Sequence, residues 1–327
     1  MNLTMKDKIL QRFLTVQDEP ISGQQLADEL GVSRTAVWKH IQQLQEEGYT
    51  FETVKKKGYL LTSIPDRLDF AQLKTFLNTK RFGQQAHFYD EVESTQLIAH
   101  KLVRDGAPDG TVIIADTQTA GRGRMLRPWD SAKGKGIWMT VIIRPDILPH
   151  QAPQFTLVTA VAAVNAMKAM FKNFTPVIKW PNDILINGLK TTGILTEMIA
   201  ETDRVQALLI GIGINVNHER ADFPEELQHI ATSLAIEEGQ TVDRVLLTAN
   251  FLYFLEHYSD YYVKHGFGRI KELWEEASGT IGKQVKATTT REVIEGEAIA
   301  ITEQGVLQIR RADGEVVGVY SADIELV

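Results

Sequence analysis

The sequence predicts an α+β protein in three parts: an N-terminal winged helix-turn-helix module (residues 1–65), a central mixed-sheet α+β domain (residues 66–278) and a C-terminal small β barrel (residues 279–327). Three observations predict this arrangement. The chain has 327 residues, more than the roughly 100–200 expected of one domain. Helical and strand patterns alternate after residue 66 without a regular period, which indicates a sheet domain. After Thr280 the strands are short and separated by turns, which is typical of a small barrel.

Composition excludes several classes of chemistry. The chain has no cysteine, which excludes disulfides, iron–sulfur clusters, zinc ribbons and thioester mechanisms and suits a reducing compartment. Its eight histidines show no metal-ligand spacing. Residues 1–8 lack the apolar core of a signal peptide, and the most apolar helical stretch, residues 156–171, is interrupted by Asn165 and Lys168. We therefore expect a cytoplasmic protein with no membrane span.

Two helices joined by a glycine turn are predicted near the N-terminus. Ser22 and Gln25 have the spacing of a capping box at the start of the first of these helices. Gly31 ends it, because glycine enters the left-handed region without steric cost. Ser33 then caps another helix, whose apolar residues again repeat at helical spacing. This order predicts a helix-turn-helix.

A basic hairpin follows the helix pair. Residues 49–54 and 59–61 have the pattern of two strands, joined by three lysines and a glycine, and a DNA-binding wing requires such a hairpin at this place. The candidate DNA-binding residues are Ser33, Arg34, Thr35, Lys39, His40, Lys55, Lys56 and Lys57. The alternative is a small helical protein-interaction domain with a solvated lysine run.

The distribution of charge permits the DNA-binding interpretation. The whole chain carries a net charge of −7, which by itself argues against a nucleic-acid partner. Residues 1–65 hold eight basic and eight acidic side chains, whereas residues 66–327 hold 27 and 34. The negative excess therefore lies in the larger part, and the N-terminal module is free to present a basic face.

The predicted elements of the central and C-terminal parts fall between clear turn signals. Helices are expected at residues 69–78, 154–171, 244–264 and 269–277, with a further helix opened by Ser94. Strands are expected at residues 86–92, 112–115, 137–143, 177–179, 184–186, 189–198 and 207–216, then at 284–287, 293–301, 306–310 and 316–320. Asn187-Gly188 is a strong hairpin turn.

Four polar segments of the central domain are candidates for a binding site. Residues 118–129 alternate glycine and arginine, residues 179–183 combine lysine with polar groups at a strand end, residues 211–215 place glycines on a strand, and residues 94–96 open a helix. Three arginines within six positions repel one another, which favours an anionic ligand over a solvated loop. The absence of a GK[ST] ending excludes a P-loop.

Each of the other three segments also has a structural interpretation. Ser94 caps a helix whether or not it binds a ligand. Lys179 beside Trp180 fits a surface pair in which the lysine stem covers apolar area. Gly211 and Gly213 fit a β-bulge as well as the close approach of a ligand.

In this order and combination the motifs resemble those of biotin–protein ligases. The matching residues are Ser94-Thr95, Gln118, Gly121-Arg-Gly-Arg124 with Trp129, Lys179-Trp-Pro-Asn-Asp183, Gly193-Ile-Leu195 and Gly211-Ile-Gly-Ile-Asn215. With the winged helix in front, the resemblance is to the bacterial ligases that also repress the biotin operon, in a Bacillus-like form, and covers essentially the whole chain. Some family members carry glycine where Leu126 stands and asparagine where Gln96 stands.

The resemblance implies an ATP-dependent, AMP-forming ligase. Biotin and ATP, with Mg²⁺ carried on the ATP, would form biotinyl-5′-AMP. A lysine of the biotin carboxyl carrier protein domain of acetyl-CoA carboxylase, or of another biotin-dependent carboxylase, would then receive the biotin. The resemblance further implies that biotinyl-AMP favours a homodimer that binds the operator DNA of biotin synthesis genes, and that the C-terminal barrel is SH3-like. It assigns no metal ligands.

The resemblance also implies roles for individual residues. Biotin contacts would come from Ser94, Thr95, Gln96, Gln118, Gly121, Arg122, Lys179 and Gly193, with the two glycines leaving room for the ring system. Nucleotide contacts would come from Arg124, Arg127, Trp129, Asn182 and Asn215, although Trp129 fits a core role equally well. Lys179, Arg122 and Arg124 would be catalytic, with Lys179 placed at the biotin carboxylate and the α-phosphate.

Two other functions remain alternatives at this point. A lipoyl–protein ligase uses similar adenylation chemistry, but the wing and the biotin-type motifs argue against it. A non-catalytic biotin-sensing repressor would keep Ser94, Thr95 and Gln118 and would have no need of Lys179.

Overall fold

The computed structural model describes residues 3–16 and 18–327; residues 1, 2 and 17 of the predicted N-terminal module lie outside it. In this module a bundle of helices precedes an antiparallel hairpin. The elements are α1 (Met5–Val16), α2 (Gly23–Leu30), α3 (Arg34–Glu46), β1 (Thr50–Val54) and β2 (Gly58–Ser63). Their buried side chains form one core that includes Ile9, Phe13, Leu26, Val37, Ile41, Leu44 and Phe51. The predicted winged helix-turn-helix is confirmed.

Side-chain caps set the helix limits as predicted, with one exception. Oγ of Ser22 accepts a hydrogen bond from the backbone N of Gln25, and Oγ of Ser33 caps α3 in the same way. Gly31 ends α2 with a φ of 67°. The predicted capping box is wrong in its second half: among the described residues the Gln25 side chain accepts no hydrogen bond from the backbone N of Ser22 and instead donates to Glu29.

The central domain is built on a seven-stranded mixed sheet of order β3-β4-β5-β9-β8-β7-β6. Its strands are β3 (Ala86–Val92), β4 (Thr111–Gln118), β5 (Gly136–Ile143), β6 (Val177–Lys179), β7 (Asp183–Ile186), β8 (Leu189–Ala200) and β9 (Val205–Asn215). Its helices are α4 (Phe70–Phe76), α5 (Thr95–Arg104), α6 (Gln154–Met170), α7 (Leu234–Glu238), α8 (Arg244–His265) and α9 (Gly268–Glu276). β3 and β4 pair in parallel and the other neighbours are antiparallel.

Helices cover both faces of this sheet. Along β4, Val112 and Ile114 face the main core with α6 and α8, whereas Ile113 faces a smaller core with Ala99 and Val103 of α5. This follows from the alternation of side chains along a strand. Within residues 3–16 and 18–327, no helix has the length and apolar character needed to cross a lipid bilayer.

Helix α4 joins the N-terminal module to the central domain. Its Ala71 is 1 % exposed and belongs to the N-terminal core. Nε2 of Gln72 donates to Oη of Tyr49 at 2.7 Å, and the Tyr49 hydroxyl donates to Asp69. The packing of the winged helix therefore extends past residue 65 into the first helix of the next part.

A buried arginine fixes the chain that leaves the winged helix. The Arg244 side chain is fully buried, pairs with Asp66 at 2.9 Å and Asp116 at 3.3 Å, and donates to the carbonyl of Gly136 at 3.1 Å. Asp66 lies directly after the winged helix, while Asp116 and Gly136 lie on the strands that flank residues 119–135. One guanidinium therefore connects the inter-domain chain to both strands.

The C-terminal part is a five-stranded antiparallel sheet of order β13-β12-β11-β10-β14. Its strands are β10 (Gln284–Thr288), β11 (Val293–Ile301), β12 (Leu307–Arg310), β13 (Val316–Val319) and β14 (Asp323–Leu326). The sequence predicts the first four and misses β14. The sheet shares the main core through Val285 and Ile309, and the Trp180 indole donates to the carbonyl of Gly305 at 3.2 Å.

Candidate functional site

A cavity of about 310 Å³ lies where the start of α5, strands β8 and β9, residues 118–130 and residues 218–231 meet. This volume lies within the ~300–1,000 Å³ of small-molecule sites. The cavity brings together the predicted residues Ser94, Thr95, Gln96, Gln118, Arg122, Arg124, Arg127, Trp129, Asn182, Gly193 and Asn215. Asp323 of β14 also lines it.

The first wall of the cavity is a hydrogen-bonded network around Gln118. Its Oε1 accepts from the backbone N of Thr95 at 2.9 Å and from the Thr95 hydroxyl at 3.1 Å. Its Nε2 donates to Oγ of Ser131 at 3.0 Å, and the Thr140 hydroxyl donates to that of Thr95 at 2.8 Å. These bonds fix the orientation of the Gln118 amide at the start of α5.

Two buried groups on the same wall keep capacity for a ligand. Ser94 stands at the N-cap position of α5, but within the described residues its side chain makes no capping hydrogen bond. Oε1 of Gln96 is buried and has no partner among these residues, and its Nε2 makes long contacts of 3.4 Å to the carbonyls of Leu195 and Leu209. Because an unpaired buried polar group is costly, this wall is suited to a ligand that both donates and accepts.

The indole of Trp129 lies against two glycines that face each other across β8 and β9. Gly193 and Gly213 are register partners. A Cβ on Gly193 would lie 2.7 Å from Cζ3 of Trp129, and one on Gly213 would lie 2.4 Å from its Nε1. The missing side chains thus leave a flat slot that the indole occupies. Lys190 completes the arrangement with its Nζ 5.2 Å from the indole centroid.

Replacement of Gly193 with alanine should weaken the binding of biotin, the ligand that the sequence resemblance implies, by about tenfold. The new Cβ would displace Trp129, and the wall that the indole forms would move by several tenths of an ångström. Isothermal titration calorimetry with biotin measures the change. The control is Gly268→Ala, since a Cβ there meets no atom within 4 Å; equal affinities of the two variants would show that the slot does not shape the cavity.

Arg124 links the cavity to the C-terminal sheet. It donates to Oδ1 of Asn182 at 3.2 Å and to Oγ of Ser321 at 2.7 Å. Burial lowers the pKa of its guanidinium from the ordinary value, while the nearby Asp323 and Asp183 oppose that change. A partly desolvated cation held in this way attracts an anion strongly.

The other two arginines of the loop are paired with carboxylates. Arg127 pairs with Asp323, and Nη2 of Arg122 lies 3.7 Å from Glu93. The mutual repulsion expected from the sequence is therefore partly relieved within the chain. Between Arg122 and Arg127, the residues Met125 and Leu126 have φ values of 56° and 60°, in the left-handed region that favours glycine. Some of the ligases that the sequence resembles carry glycine at the position of Leu126.

Two predicted site residues lie outside the lining of the cavity. A Cβ on Gly121 would lie 2.6 Å from the backbone O of Trp129, so the loop's own backbone takes the space that this glycine provides. Lys179 ends β6 opposite Asp183 of β7, and opposite residues project from the same face of a sheet. Lys179 therefore stands beside a cavity-lining carboxylate, and its catalytic role stays a prediction; Lys190, which the sequence analysis does not name, lines the cavity.

The two amides predicted to bind nucleotide are already engaged. Asn182 accepts from Arg124 and donates to the carbonyl of Ile194 at 2.9 Å. Asn215 donates to the carbonyl of Thr232 at 3.2 Å and keeps its oxygen for another donor. Asn182 thus positions an arginine as well as lining the cavity.

The predicted DNA-binding residues are exposed, apart from His40. Ser33, Arg34, Thr35 and Lys39 of α3 and Lys55, Lys56 and Lys57 of the hairpin are exposed. His40 is half-buried on the flank of α3, where its Nδ1 lies 2.9 Å from Oε1 of Gln43, and it lines a hollow with Lys6 and Glu47.

Comparison with known proteins identifies the family. Three family models match: the Biotin/lipoate A/B protein ligase family over residues 89–215, an HTH domain over residues 6–60 and the Biotin protein ligase C terminal domain over residues 280–327. The bifunctional ligase/repressor BirA of Bacillus subtilis is 47% identical over 327 residues, which is 100% of both chains. This chain belongs to the biotin protein ligase family, in its bifunctional ligase/repressor form.

More distant relatives of the ligase agree. Bifunctional ligase/repressor BirA of Escherichia coli is 30% identical over 306 residues, 93% of this chain and 92% of that one. The structure of biotin protein ligase from Aquifex aeolicus in complex with biotin and ATP matches with a TM-score of 0.64 and 27% identity, over 75% of this chain and 99% of that chain.

Sequence reasoning missed two charged residues of the ligase cavity. Lys190 pairs with Asp183 at 2.8 Å and stands over Trp129. The sequence feature that could have pointed to Lys190 is its position three residues after Asn187, at the base of the predicted hairpin turn. Asp323 belongs to the strand that was not predicted, so its contact with Arg127 had no signal in the local sequence.

His218 is a third residue of the lining that the motifs do not reveal. It is 1 % exposed and packs between Trp138 and Phe223, at ring-centroid distances of 5.9 and 4.9 Å. Burial lowers the pKa of its imidazole from 6.5 to about 4, with the nearby Asp222 opposing the shift. The His218 ring is therefore neutral in the folded protein near neutral pH.

The ligase should lose stability as the pH falls from 6.5 to about 4. Between these pH values His218 binds a proton in the unfolded chain but not in the folded chain. Protonation therefore favours the unfolded chain, and the stability that the neutral ring contributes above pH 6.5 is lost as the pH falls. His218→Phe should flatten this part of the profile because phenylalanine keeps the stacking without titrating. Urea unfolding at several pH values measures the slope; parallel profiles for the two proteins would contradict the assignment.

Proposed function

We propose that this ligase forms biotinyl-5′-AMP from biotin and ATP and transfers biotin to a lysine of a biotin carboxyl carrier domain, in acetyl-CoA carboxylase or another biotin-dependent carboxylase. First a biotin carboxylate oxygen attacks the α-phosphorus of ATP and the bond to pyrophosphate breaks. The lysine amine then attacks the acyl carbon, an amide forms, AMP leaves and the amine loses a proton. The proposal is carried by one cavity that combines unpaired hydroxyl and amide groups with three arginines.

The proposed biotin contacts follow the chemistry of the vitamin. Its ureido head donates and accepts hydrogen bonds, and a buried pocket must satisfy both kinds. Within the described residues the Ser94 hydroxyl makes no capping bond and Oε1 of Gln96 has no partner, and Gln118 and Thr95 orient that wall. Gly193, through the slot for Trp129, shapes the place of the ring system.

Electrostatic neutralisation is the main proposed contribution to the chemistry. Carboxylate and triphosphate repel one another, and fixed cations lower the energy of the charge that accumulates at the α-phosphate. We assign this role to Lys190, Arg122 and Arg124 in the cavity, with Lys179 acting beside Asp183. Arg127, Trp129, Asn182 and Asn215 are proposed nucleotide contacts, and Gly121 supports the arginine loop.

ATP would enter as its Mg²⁺ complex. The carboxylates of Asp130, Asp183 and Asp323 line the cavity. Two of them are already paired, Asp183 with Lys190 and Asp323 with Arg127, and among the described residues no group of three or more acidic or histidine side chains could hold a metal ion. Mg²⁺ would therefore be held mainly by the ATP phosphates, whose charge it would neutralise.

The ligase activity is tested by the mass of an acceptor. The chain is mixed with biotin, ATP and a purified biotin carboxyl carrier domain, and the intact mass of that domain is measured. An increase equal to one biotinyl group supports the proposal, whereas no increase would leave only a biotin-sensing repressor. Lipoate in place of biotin tests the other alternative, and we expect no modification by it.

We further propose that biotinyl-AMP makes the chain a repressor of biotin synthesis genes. One winged helix makes few phosphate contacts, so a homodimer would gain affinity by binding an inverted repeat in the operator. Support comes from the exposed basic residues of α3 and the hairpin. We place the domain boundaries near residues 65 and 278, so that the DNA-binding part and the ligase part are separate. We also propose a cytoplasmic location, because ATP, the carboxylases and the DNA are found there.

Analytical ultracentrifugation tests the homodimer. We expect the sedimentation coefficient to rise with concentration more steeply in the presence of biotin and ATP than without them. By linkage, association must then tighten the binding of biotinyl-AMP by the same factor. If the chain associated equally with and without biotin and ATP, the proposed ligand-dependent dimerisation would be wrong, whereas the proposed ligase activity would be unaffected.

A further inference from the structure

Trp38 of α3 is unusual among the tryptophans of the chain. Its side chain is 46% exposed, whereas Trp138, Trp180 and Trp274 are 0%, 2% and 0% exposed. A large aromatic ring left in water forgoes the stabilisation of burial, so its position on a small module calls for a partner surface.

Three neighbours of Trp38 on the helix are polar and exposed. Arg34 and Thr35 lie four and three residues before it, and Gln42 lies four residues after it, which are the spacings of neighbours on a helix surface. Val37 and Ile41, one residue before it and three residues after it, are buried in the module's core. The indole therefore lies at the edge of the exposed face of α3, beside a guanidinium, a hydroxyl and an amide.

The position of α3 in the fold identifies the partner. It is the second helix of the helix-turn-helix, and the N-terminal half of such a helix reads base edges in the major groove. Trp38 is its fifth residue, and exposed lysines stand at the tip of the adjacent hairpin. Arginine and glutamine read hydrogen-bonding edges, while the thymine C5-methyl group is read by apolar contact.

We propose that Trp38 is a specificity-determining residue that contacts the C5-methyl group of a thymine in each half-site. The inference rests on the proposed DNA-binding function and adds a particular base and a particular atom to it. Contact with a methyl group would select thymine over cytosine at one position without a hydrogen bond.

The test removes the methyl group and the side chain separately and together. Duplexes that bind the wild-type chain with biotin and ATP are first selected from a random library. Each thymine of the best site is then replaced singly by deoxyuridine, which lacks only the methyl. We expect one thymine per half-site at which this replacement weakens wild-type binding about fourfold, the value of one buried methyl group.

Two variants make the test decisive. Trp38→Ala should bind the parent duplex more weakly and show no further loss with deoxyuridine at that thymine. Lys39→Ala, a neighbouring change to a proposed phosphate contact, should lose affinity on every duplex and keep the full deoxyuridine effect. Biotin transfer to the carrier domain should be unchanged in Trp38→Ala, and a circular dichroism spectrum equal to that of the wild type establishes that its winged helix is folded.

Three outcomes would overturn the inference. Deoxyuridine effects of equal size in the wild type and Trp38→Ala would mean that another residue reads the methyl. Affinity lost uniformly over all duplexes would make Trp38 a backbone contact. If the wild-type chain enriched no sequence, the proposed operator binding would fail together with the inference.

Discussion

Replacement of Lys190 with glutamine should slow biotinyl-AMP formation by about a hundred- to a thousandfold. Lys190 is the lysine that lines the cavity, between Asp183 and the indole of Trp129. Glutamine is one atom shorter, keeps a polar end group and removes the charge that offsets the repulsion between carboxylate and triphosphate. Pyrophosphate release at saturating biotin and ATP measures the rate, and biotin affinity by calorimetry should change only a few-fold.

Lys172→Gln is the matched control for this prediction, and Lys179→Gln tests the second lysine proposed to act in the reaction. Lys179 lies beside Asp183 and should cost about tenfold, because an interaction through a neighbouring carboxylate is weaker than a direct one. Lys172 follows α6, is exposed, and should leave the rate unchanged. A normal rate for Lys190→Gln, or a larger loss for Lys179→Gln, would contradict the placement of the catalytic cation.

Replacement of Arg244 with methionine should lower the free energy of unfolding by about 3 kcal/mol. The change leaves the carboxylates of Asp66 and Asp116 without their shared cation and the carbonyl of Gly136 without a donor. Asp66 is half exposed and can take up water, which limits the cost. Urea denaturation followed by circular dichroism measures the midpoint.

Arg269→Met is the control for the buried arginine. Arg269 pairs with Glu272 on the surface of α9, where an exposed ion pair contributes little. The midpoint of urea unfolding of Arg269→Met should stay close to that of the wild type. If the two variants unfolded at the same urea concentration, the ion-pair network of Arg244 would not hold the inter-domain chain.

Local signals predicted the parts of the fold that local contacts determine. Ser22, Gly31 and Ser33 mark helix limits through bonds to residues a few positions away, so the helix-turn-helix could be predicted from the sequence. Strand β14 was missed because its four residues carry two acidic side chains and only two apolar ones, a pattern too short to stand out. The contact of Asp323 with Arg127 was lost with it.

The candidate site was predicted in its composition and not in its geometry. The strand pattern indicated a close approach at Gly213, and the family resemblance implied room at Gly193, but the group that approaches both, Trp129, depends on the register of β8 and β9. Lys190 was missed for the same reason. Both lysines stand near strand ends, and only the folded sheet determines which of them reaches the cavity.

The central claim is that one cavity serves two outputs, because biotinyl-AMP is both the acyl donor and the ligand that favours DNA binding. The most direct measurement follows fluorescence anisotropy of a selected duplex with the chain, biotin and ATP while unmodified carrier domain is added. The account predicts that binding weakens as the carrier domain consumes biotinyl-AMP, and that a carrier domain whose acceptor lysine is replaced by arginine has no such effect. DNA binding that is equally strong with both carrier domains, or without biotin and ATP, would contradict it.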